Sequence, residues 1–482
     1  MLTQEQQEVV NIDFKDILLV NAYAGTGKTS TLIEFCKKRK DKKILYLAYN
    51  NSMVKEAEKK FKLLSNVSVK TIHSLAYAEY GIQNKERLGN LTSKDIQEYF
   101  DDENALFNAS FTISLLKDFC NSADTMREFC EKILSEKIVL KNKKLDKEYL
   151  VHKLKELWNK ITSKESKIAY PHDFYLKEYQ LNKPKLDYDF ILVDEAQDIN
   201  ECVIDIVLKQ KAKKVFIGDT YQSIYAFRGA VDSLTKLSQL ENSITLFLTQ
   251  SFRCPLSIAN IANFYLLALG SKKQFIGTKK EKQEKTNVLA LLARNNATLF
   301  DYAVENLDKK IAWVGGVDNY NFSDLLDIQN LLFKKTEFIR NNFLKKFSDI
   351  DELLDYCDET QETEWRGKLM IVFKYINADI PKLLKEIKKL SVNPKEAEFI
   401  LTTGHKSKGL EWDSVEIMDD FINLRAIVSI AQESGKEVIL AKEELNLLYV
   451  AITRSMQTLH LSEDYLLDLE LIKTMKKCVV FE

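Results

Sequence analysis

The stretch Ile17-Leu-Leu-Val-Asn-Ala-Tyr-Ala-Gly-Thr-Gly-Lys-Thr29 is the clearest indication of how this chain folds. Its apolar start predicts a buried strand, its glycines predict a turn, and a helix is expected to start near Lys28. Backbone N–H groups of such a turn bind phosphate oxygens together with the helix N-terminus. We therefore expect a nucleotide-phosphate loop in which Lys28 reaches the β- and γ-phosphates of ATP and Thr29 binds Mg²⁺.

One residue of this loop departs from the usual pattern, because Ala22 stands where the first glycine is expected. A chance turn is the alternative interpretation, but the strand before the loop and the helix after it favour phosphate binding. The residues of this segment that we expect to bind the nucleotide are Ala22, Tyr23, Ala24, Gly25, Thr26, Gly27, Lys28, Thr29 and Ser30.

Composition limits the class of protein. A chain of 482 residues is too long for one hydrophobic core, so two or more domains are expected. The net charge of −1 excludes a wholly basic protein of the histone type but allows a local basic groove. The seven cysteines lack Cys-X-X-Cys spacing, which predicts a reducing compartment without structural zinc. No signal peptide or bilayer-spanning run is visible, so we expect a soluble, intracellular protein without a membrane partner.

The order of elements predicts an α/β fold, because short aliphatic runs alternate with long amphipathic stretches. In the first half, strands are predicted at Ile17–Val20, Ile44–Tyr49, Val67–Ile72, Phe190–Val193 and Val215–Gly218. In the second half, they are predicted at Ile244–Thr249, Val288–Ala293, Ile311–Gly315, Phe399–Thr403, Val415–Met418 and Thr458–Leu461. Two domains with parallel sheets follow, 1–235 and 236–482, each with a mainly helical insertion, at about 91–166 and about 322–396.

A second motif, Phe190-Ile-Leu-Val-Asp-Glu-Ala-Gln-Asp198, is an apolar strand that ends in two carboxylates. At the carboxyl end of a strand, Asp194 can hold Mg²⁺ through water and Glu195 can polarise the attacking water. In isolation such a pair is usually the solvated start of a loop. Downstream of a phosphate loop the catalytic interpretation is favoured, with Thr29 and Asp194 as the magnesium ligands.

A third motif spans Gly218 to Ala230, with the sequence GDTYQSIYAFRGA. Gln222 is expected on the γ-phosphate side. Tyr225 and Phe227 precede an arginine, an arrangement that suits sequence-tolerant stacking on nucleic-acid bases. Both aromatics could instead belong to the core, and for Tyr225 the two interpretations are equally open.

The motifs AxAGTGKT, DEAQD and GDxxQSIYxFRGA together resemble those of the UvrD/Rep/PcrA branch of superfamily 1 DNA helicases. The segments NAYAGTGKTSTL, PHDFYLKEYQL, HKSKGLEWDSV, MDDF and EELNLLYVAITR are most similar to the F-box DNA helicase subgroup, although no F-box precedes the motor motifs. The resemblance implies two RecA-like P-loop domains and an ATP-dependent, Mg²⁺-dependent motor that moves 3′ to 5′ on single-stranded DNA. It further implies a role in DNA repair or recombination control.

The resemblance also assigns roles to single residues. It implies that Gln6 reads adenine, that Phe252 stacks on it and that Glu411 lies near the ribose. The implied catalytic residues are Lys28, Thr29, Asp194, Glu195, Gln222, Arg253 and Arg454, with both arginines on the phosphates. The implied DNA contacts are Asn50, Thr71, His73, His172, Tyr225, Phe227 and His405.

The implied partners are single-stranded DNA or junctions of single- and double-stranded DNA, with a recombinase or another protein as a further candidate. The expected location is the cytoplasm, at the nucleoid, for a bacterial or phage protein and the nucleus for a eukaryotic one. The short interval between Arg253 and Thr403 predicts a reduced second insertion. Two alternatives to a duplex-unwinding helicase stay open: a DNA-stimulated ATPase that strips proteins from DNA, and a motor subunit of a nuclease or defence assembly.

Overall fold

The computed structural model describes residues 1–100, 105–135, 146–225, 229–281, 288–360 and 363–481. The chain forms two compact units, the first made of Met1–Ala22 and Gly27–Leu248, the second of Tyr23–Thr26 and Thr249–Glu482. Each unit carries a parallel sheet and many helices, so the predicted α/β class is confirmed. Among the described residues, no helix is both long and apolar enough to cross a membrane.

The sheet of the first unit has six parallel strands in the order β3-β2-β4-β5-β1-β6. Its strands are β1 (Ile17–Ala22), β2 (Ile44–Leu47), β3 (Val67–Lys70), β4 (Phe190–Val193), β5 (Lys213–Gly218) and β6 (Ser243–Leu248). The helices around it are α1 (Gln4–Asn11), α2 (Lys28–Lys37), α3 (Asn51–Phe61), α4 (Ile72–Ala76), α9 (His172–Leu181), α10 (Glu201–Leu208) and α11 (Ser233–Leu237). The helical insertion carries α5 (Ser93–Ile96), α6 (Ala105–Asn121), α7 (Met126–Leu134) and α8 (Lys147–Thr162).

Residues of β1 alternate between two cores, as side chains of a strand point to opposite faces of its sheet. Leu18 and Val20 pack with the helices on one face. Ile17 and Leu19 belong to a larger core on the other face, and this core also contains the buried side chains of the helical insertion. The first insertion therefore shares its hydrophobic core with the sheet.

The sheet of the second unit has five parallel strands in the order β10-β11-β9-β12-β14. Its strands are β9 (Leu289–Ala293), β10 (Ile311–Trp313), β11 (Phe399–Thr403), β12 (Trp412–Ile417) and β14 (Ser455–His460). Two small sheets pair β7 (Gln250–Ser251) with β8 (Ile276–Gly277), and β13 (Val438–Leu440) with β15 (Val479–Phe481). The helices are α12 (Leu256–Ala268), α13 (Asn296–Glu305), α14 (Asp324–Leu332), α15 (Ile350–Thr360), α16 (Thr363–Lys374), α17 (Ile380–Leu390), α18 (Gly404–Ser407), α19 (Leu424–Ser434), α20 (Lys442–Ile452) and α21 (Leu469–Cys478).

One strand prediction places its strand in the wrong sheet. The strand predicted over Ile244–Thr249 exists as β6, but it pairs with β1 in the first sheet and not with the strands of the second half. The hydrophobic pattern of a segment identifies a strand without identifying its neighbour, since pairing depends on distant residues.

Lys177 of α9 is fully buried and holds the turn that follows α6. Its Nζ donates to the carbonyl oxygens of Ser122, at 2.9 Å, and Asp124, at 2.6 Å. Gln180, one turn along the same helix, donates to the carbonyl of Ala123 at 3.0 Å. Burial lowers the pKa of Lys177. These bonds join the insertion to the helix that precedes β4.

Replacement of Lys177 by methionine should lower the free energy of unfolding by about 3 kcal/mol, because two partly buried carbonyls lose their charged donor. Urea unfolding followed by circular dichroism measures this. Lys60→Met is the matched control, since Lys60 forms an exposed ion pair with Glu56 at 2.6 Å and such pairs contribute little. Equal unfolding curves for the two variants would contradict a structural role for Lys177.

Candidate functional site

The predicted phosphate loop has the backbone geometry that anion binding requires. Gly25 has φ +70° and Gly27 has φ +81°, a left-handed conformation that residues with a Cβ rarely adopt. Gly27 is the N-cap of α2 and has no side chain that could cap the helix. The partial positive charge of the α2 N-terminus is therefore available to phosphate oxygens.

Lys28, at the start of α2, lies beside the two carboxylates that follow β4. Its Nζ is 3.3 Å from Oε1 of Glu195. Burial lowers the pKa of Lys28, but the carboxylates of Glu195, Asp194 and Asp219 outweigh burial, so the net pKa is raised. Lys28 is thus held as a cation next to Glu195.

Asp194 is a buried carboxylate with a raised pKa. Burial, followed by the nearby charge of Glu195, raises the pKa of Asp194 to about 6. Its Oδ1 accepts from the backbone N–H of Glu195 at 2.9 Å, and its Oδ2 accepts from the hydroxyl of Tyr46 on β2. A second positive charge near Asp194 would favour its ionised form.

A hydrogen-bonded chain links Glu195 to the third motif. Nε2 of Gln197 donates to Oε2 of Glu195 at 2.5 Å, and Oε1 of Gln197 accepts from the N–H of Asp219 at 3.0 Å. Asp219 in turn accepts from Nε2 of Gln222 at 2.8 Å. A Cβ on Gly218 would lie 2.2 Å from Oε1 of Gln197, so only glycine allows this close approach.

These residues fit a magnesium nucleotide. They provide a helix N-terminus, a cation at Lys28, the hydroxyl of Thr29 and the carboxylate of Asp194. Among the described residues, no three His, Cys, Asp or Glu side chains cluster as a metal cage. Mg²⁺ is usually held by one or two protein oxygens together with phosphates and water, which matches this donor set.

The predicted nucleotide contacts of the second unit lie in two environments. Arg253 donates from Nε to Oε2 of Glu411 at 2.8 Å and from Nη1 to the carbonyl of Thr453 at 3.2 Å. Phe252 is half exposed. Arg454 is only 1% exposed, and its Nε donates to the carbonyl of Val450 at 2.9 Å. Arg454 is therefore a buried residue. For its guanidinium to contact a phosphate, this hydrogen bond would have to break.

Gln6 is buried near the start of α1, where it has a structural contact. Its Oε1 accepts from the N–H of Thr3 at 3.0 Å, and the Thr3 hydroxyl accepts from the N–H of Gln6 at 3.2 Å. This reciprocal capping box stabilises the start of α1. The contact of Gln6 with adenine stays a prediction.

Tyr225 stacks on Tyr49, which follows the end of β2. The two ring centroids are 5.9 Å apart and the planes differ by 8°. Tyr225 is half-buried and not a fully enclosed core residue. Phe227 lies outside the described residues. A pair of parallel rings of this kind is a surface on which a base can stack.

The other predicted DNA contacts lie at the starts of helices. Asn50 caps α3 through Met53 N–H at 2.9 Å, and Thr71 caps α4 through Ser74 N–H at 3.0 Å. His73 Nε2 is 3.7 Å from the carboxylate of Asp173. The remaining two are His172, whose Nδ1 lies 3.0 Å from the Tyr175 hydroxyl, and His405, in the first turn of α18 in the second unit.

A cavity of about 910 Å³ in the first unit brings predicted DNA contacts together with the insertion. Asn50 and His73 line one part of it, Lys117 and Asn121 of α6 line another, and it extends to Asp194. Asn121 accepts a hydrogen bond from Asn200 at 2.7 Å. Lys117 and Asn121 could not be found from the sequence, because nothing in a helical pattern indicates which residues face a distant strand end.

Other site residues had a weak signal in the sequence. Gln197 and Asp219 stand inside the second and third motifs, so their proximity to Glu195 and Gln222 could have been expected. Tyr46 interrupts the aliphatic run Ile44-Leu-Tyr-Leu47, and a polar atom in a buried strand needs a partner.

The chain is similar in sequence to DNA helicases. Residues 2–244 match the model of the UvrD/REP helicase N-terminal domain. The chain is 32% identical over 506 residues to F-box DNA helicase 1 of Gallus gallus, covering 96% of this chain and 49% of the relative. It is 30% identical over 518 residues to F-box DNA helicase protein 1 of Schizosaccharomyces pombe, covering 96% and 57%. A DNA helicase II homologue of Mycoplasma genitalium is 24% identical over 447 residues, covering 82% and 61%. The chain thus spans about half the length of these two F-box DNA helicases.

Proposed function

Since this chain belongs to the UvrD/REP helicase family, we propose that it is an ATP-dependent DNA helicase or translocase that uses Mg²⁺ and moves 3′ to 5′ on single-stranded DNA. The observation that carries the proposal is the position of Lys28, 3.3 Å from Glu195 at the N-terminus of a helix that follows a glycine turn. Its two units, Met1–Ala22 with Gly27–Leu248 and Tyr23–Thr26 with Thr249–Glu482, are proposed to be RecA-like ATPase domains.

The chemistry follows from the residues around Lys28. Lys28 and the α2 N-terminus would bind the phosphates, and Thr29 and Asp194 would hold the metal ion. Mg²⁺, when bound, neutralises charge on the phosphates and orients them. Glu195 orients the attacking water and accepts its proton. Gln197 fixes the carboxylate of Glu195 through the 2.5 Å bond and connects it to Asp219 and Gln222.

Gln222 is proposed to link hydrolysis to DNA. It lies in the same segment as Tyr225, only three residues earlier, and its amide is bonded to Asp219. A displacement of Tyr225 on DNA binding would therefore move Gln222, and the hydrogen bonds through Asp219 and Gln197 would transmit this movement to Glu195. The contacts that family resemblance assigns to Gln6, Phe252, Arg253, Glu411 and Arg454 are retained as part of this proposal.

Single-stranded DNA is the proposed partner, and the names of the relatives support a role in DNA metabolism. The F-box DNA helicases of Gallus gallus and Schizosaccharomyces pombe match almost the whole of this chain. We propose a role in DNA repair or recombination control, at the nucleoid or in the nucleus according to the source of the chain.

Three measurements test the proposal. ATP hydrolysis is compared with and without single-stranded DNA, and strong stimulation is expected. Unwinding is then compared for duplexes with a 3′ or a 5′ single-stranded tail, and only the 3′-tailed duplex should open. Displacement of a recombinase from single-stranded DNA distinguishes protein stripping from unwinding. Absence of DNA stimulation would overturn the motor function, and preference for the 5′ tail would overturn the polarity alone.

Replacement of Tyr49 by alanine should weaken binding of single-stranded DNA about tenfold, because stacking contributes roughly 1–3 kcal/mol per base. Fluorescence anisotropy of a labelled oligonucleotide measures the dissociation constant. Tyr302→Ala is the control: Tyr302 is also half-buried, contacts Phe399 edge-on at 5.7 Å, and is not one of the predicted DNA contacts. If both variants bind DNA like the unmodified protein, the Tyr49–Tyr225 pair is not a base platform.

A further inference from the structure

Tyr46 places a hydroxyl group beside the predicted magnesium ligand. It lies on β2, is 2% exposed and pairs in register with Leu192 of β4, two residues before Asp194. Its hydroxyl donates to Oδ2 of Asp194. Its ring packs on Phe61 with a centroid distance of 4.9 Å. The side chain therefore has an apolar part that fills the core and a polar tip directed at one carboxylate.

The hydroxyl is not needed for packing. Neighbouring positions of β2 hold Ile44, Leu45 and Leu47, all buried and apolar. Phenylalanine would fill the same space, and it would avoid the cost of removing a hydroxyl group from water. A buried hydroxyl at this position is best explained by its bond to Asp194.

Both oxygens of the Asp194 carboxylate accept hydrogen bonds from the protein. Oδ1 accepts from Glu195 N–H at 2.9 Å, and Oδ2 accepts from Tyr46. The backbone N–H of Asp194 itself donates to the carbonyl of Leu47, next to Tyr46, at 3.0 Å. Strand β2 thus fixes both the main chain and the side chain of this residue.

We propose that Tyr46 is a positioning residue that orients Asp194 for binding of the magnesium nucleotide. The inference rests on the proposed function, because it needs Asp194 to be a metal ligand. Partners that hydrogen-bond to a ligating carboxylate orient it, and their loss typically weakens metal binding about 10- to 100-fold. Tyr46 acts through Asp194 and does not itself contact the ion.

The test is the Tyr46→Phe variant, which removes one oxygen and keeps the ring. Binding of a fluorescent ADP analogue is measured as a function of Mg²⁺ concentration and also in EDTA. We expect the Mg²⁺ concentration at half-saturation to rise at least about tenfold. Affinity for the analogue in EDTA should stay unchanged, since the phosphate contacts of Lys28 and α2 are intact.

Two controls separate positioning from packing. Tyr170→Phe removes another buried hydroxyl that donates to a carboxylate, that of Glu178, and should leave the Mg²⁺ dependence unchanged. Phe61→Leu disturbs the packing of the Tyr46 ring and keeps its hydroxyl, so its Mg²⁺ titration should shift far less than that of Tyr46→Phe.

Each outcome decides between interpretations. A normal Mg²⁺ titration for Tyr46→Phe overturns the positioning role while the proposed function stands. Equal loss of binding with and without Mg²⁺ also overturns it, because that indicates a general structural defect. If the unmodified protein shows no Mg²⁺-dependent binding, the proposed function fails and the inference fails with it.

Discussion

The Lys28→Ala variant should lose DNA-stimulated ATP hydrolysis, with kcat reduced at least about 100-fold, the loss typical for removal of a charge-stabilising group. Nζ of Lys28 lies 3.3 Å from Oε1 of Glu195, and Lys28 starts the helix that follows the phosphate loop. Its removal deletes the proposed phosphate contact and one positive charge that interacts with the carboxylates of Glu195, Asp194 and Asp219. Nucleotide affinity should therefore fall together with kcat.

The measurement is steady-state phosphate release at saturating single-stranded DNA. Lys37→Ala is the matched control, because Lys37 lies in the last turn of the same helix and forms an exposed ion pair with Glu34 at 2.7 Å. The control should hydrolyse ATP at the unmodified rate. Hydrolysis by Lys28→Ala within tenfold of that rate would show that the loop does not bind phosphate in the proposed way.

The Glu195→Gln variant should separate binding from hydrolysis. Glutamine keeps the size of the side chain but cannot accept the proton of the attacking water, so kcat should fall about 10²- to 10⁴-fold. The amide oxygen of the new glutamine can still accept from Nε2 of Gln197, so the link through Gln197 to Asp219 should persist. Binding of ATP with Mg²⁺ should be retained, in contrast to Lys28→Ala.

Single-turnover hydrolysis and equilibrium nucleotide binding are measured on the same preparation. Glu201→Gln serves as control, since Glu201 is in the first unit but pairs with Lys236 at the surface. A rate for Glu195→Gln equal to that of this control would mean that another group accepts the proton. Loss of ATP binding would instead indicate that Glu195 is mainly the partner that positions Lys28.

The sequence predicts most of the fold, because strand and helix patterns depend on neighbouring residues. The strands from Ile17 and Phe190 and the helix start at Lys28 all lie where the pattern indicates them. The sheet to which β6 belongs depends on its pairing with β1, more than 200 positions earlier, and no local pattern contains that information.

The residues of the candidate site also fall into those that the local sequence predicts and those that only the structure identifies. Residues inside a motif, such as Glu195 and Gln222, can be assigned a role before the structure is known. Tyr46 and Lys117 lie in ordinary strand and helix segments, and their relevance depends on which distant atoms they face. The family resemblance assigns Arg454 to the phosphates, and in the structure its guanidinium donates to carbonyls of its own unit, so the phosphate contact stays a prediction.

The strand order of the first sheet has a consequence for synthesis on the ribosome. Strand β1 ends at residue 22. Its two neighbours in the sheet are translated much later, since β5 begins at residue 213 and β6 at residue 243. A nascent chain therefore carries an apolar strand without a partner while nearly two hundred further residues are added. Long-range parallel pairing of this kind folds slowly and leaves hydrophobic segments open to aggregation. Folding of the first unit in the cell should accordingly depend on chaperones that bind β1 until β6 has left the ribosome.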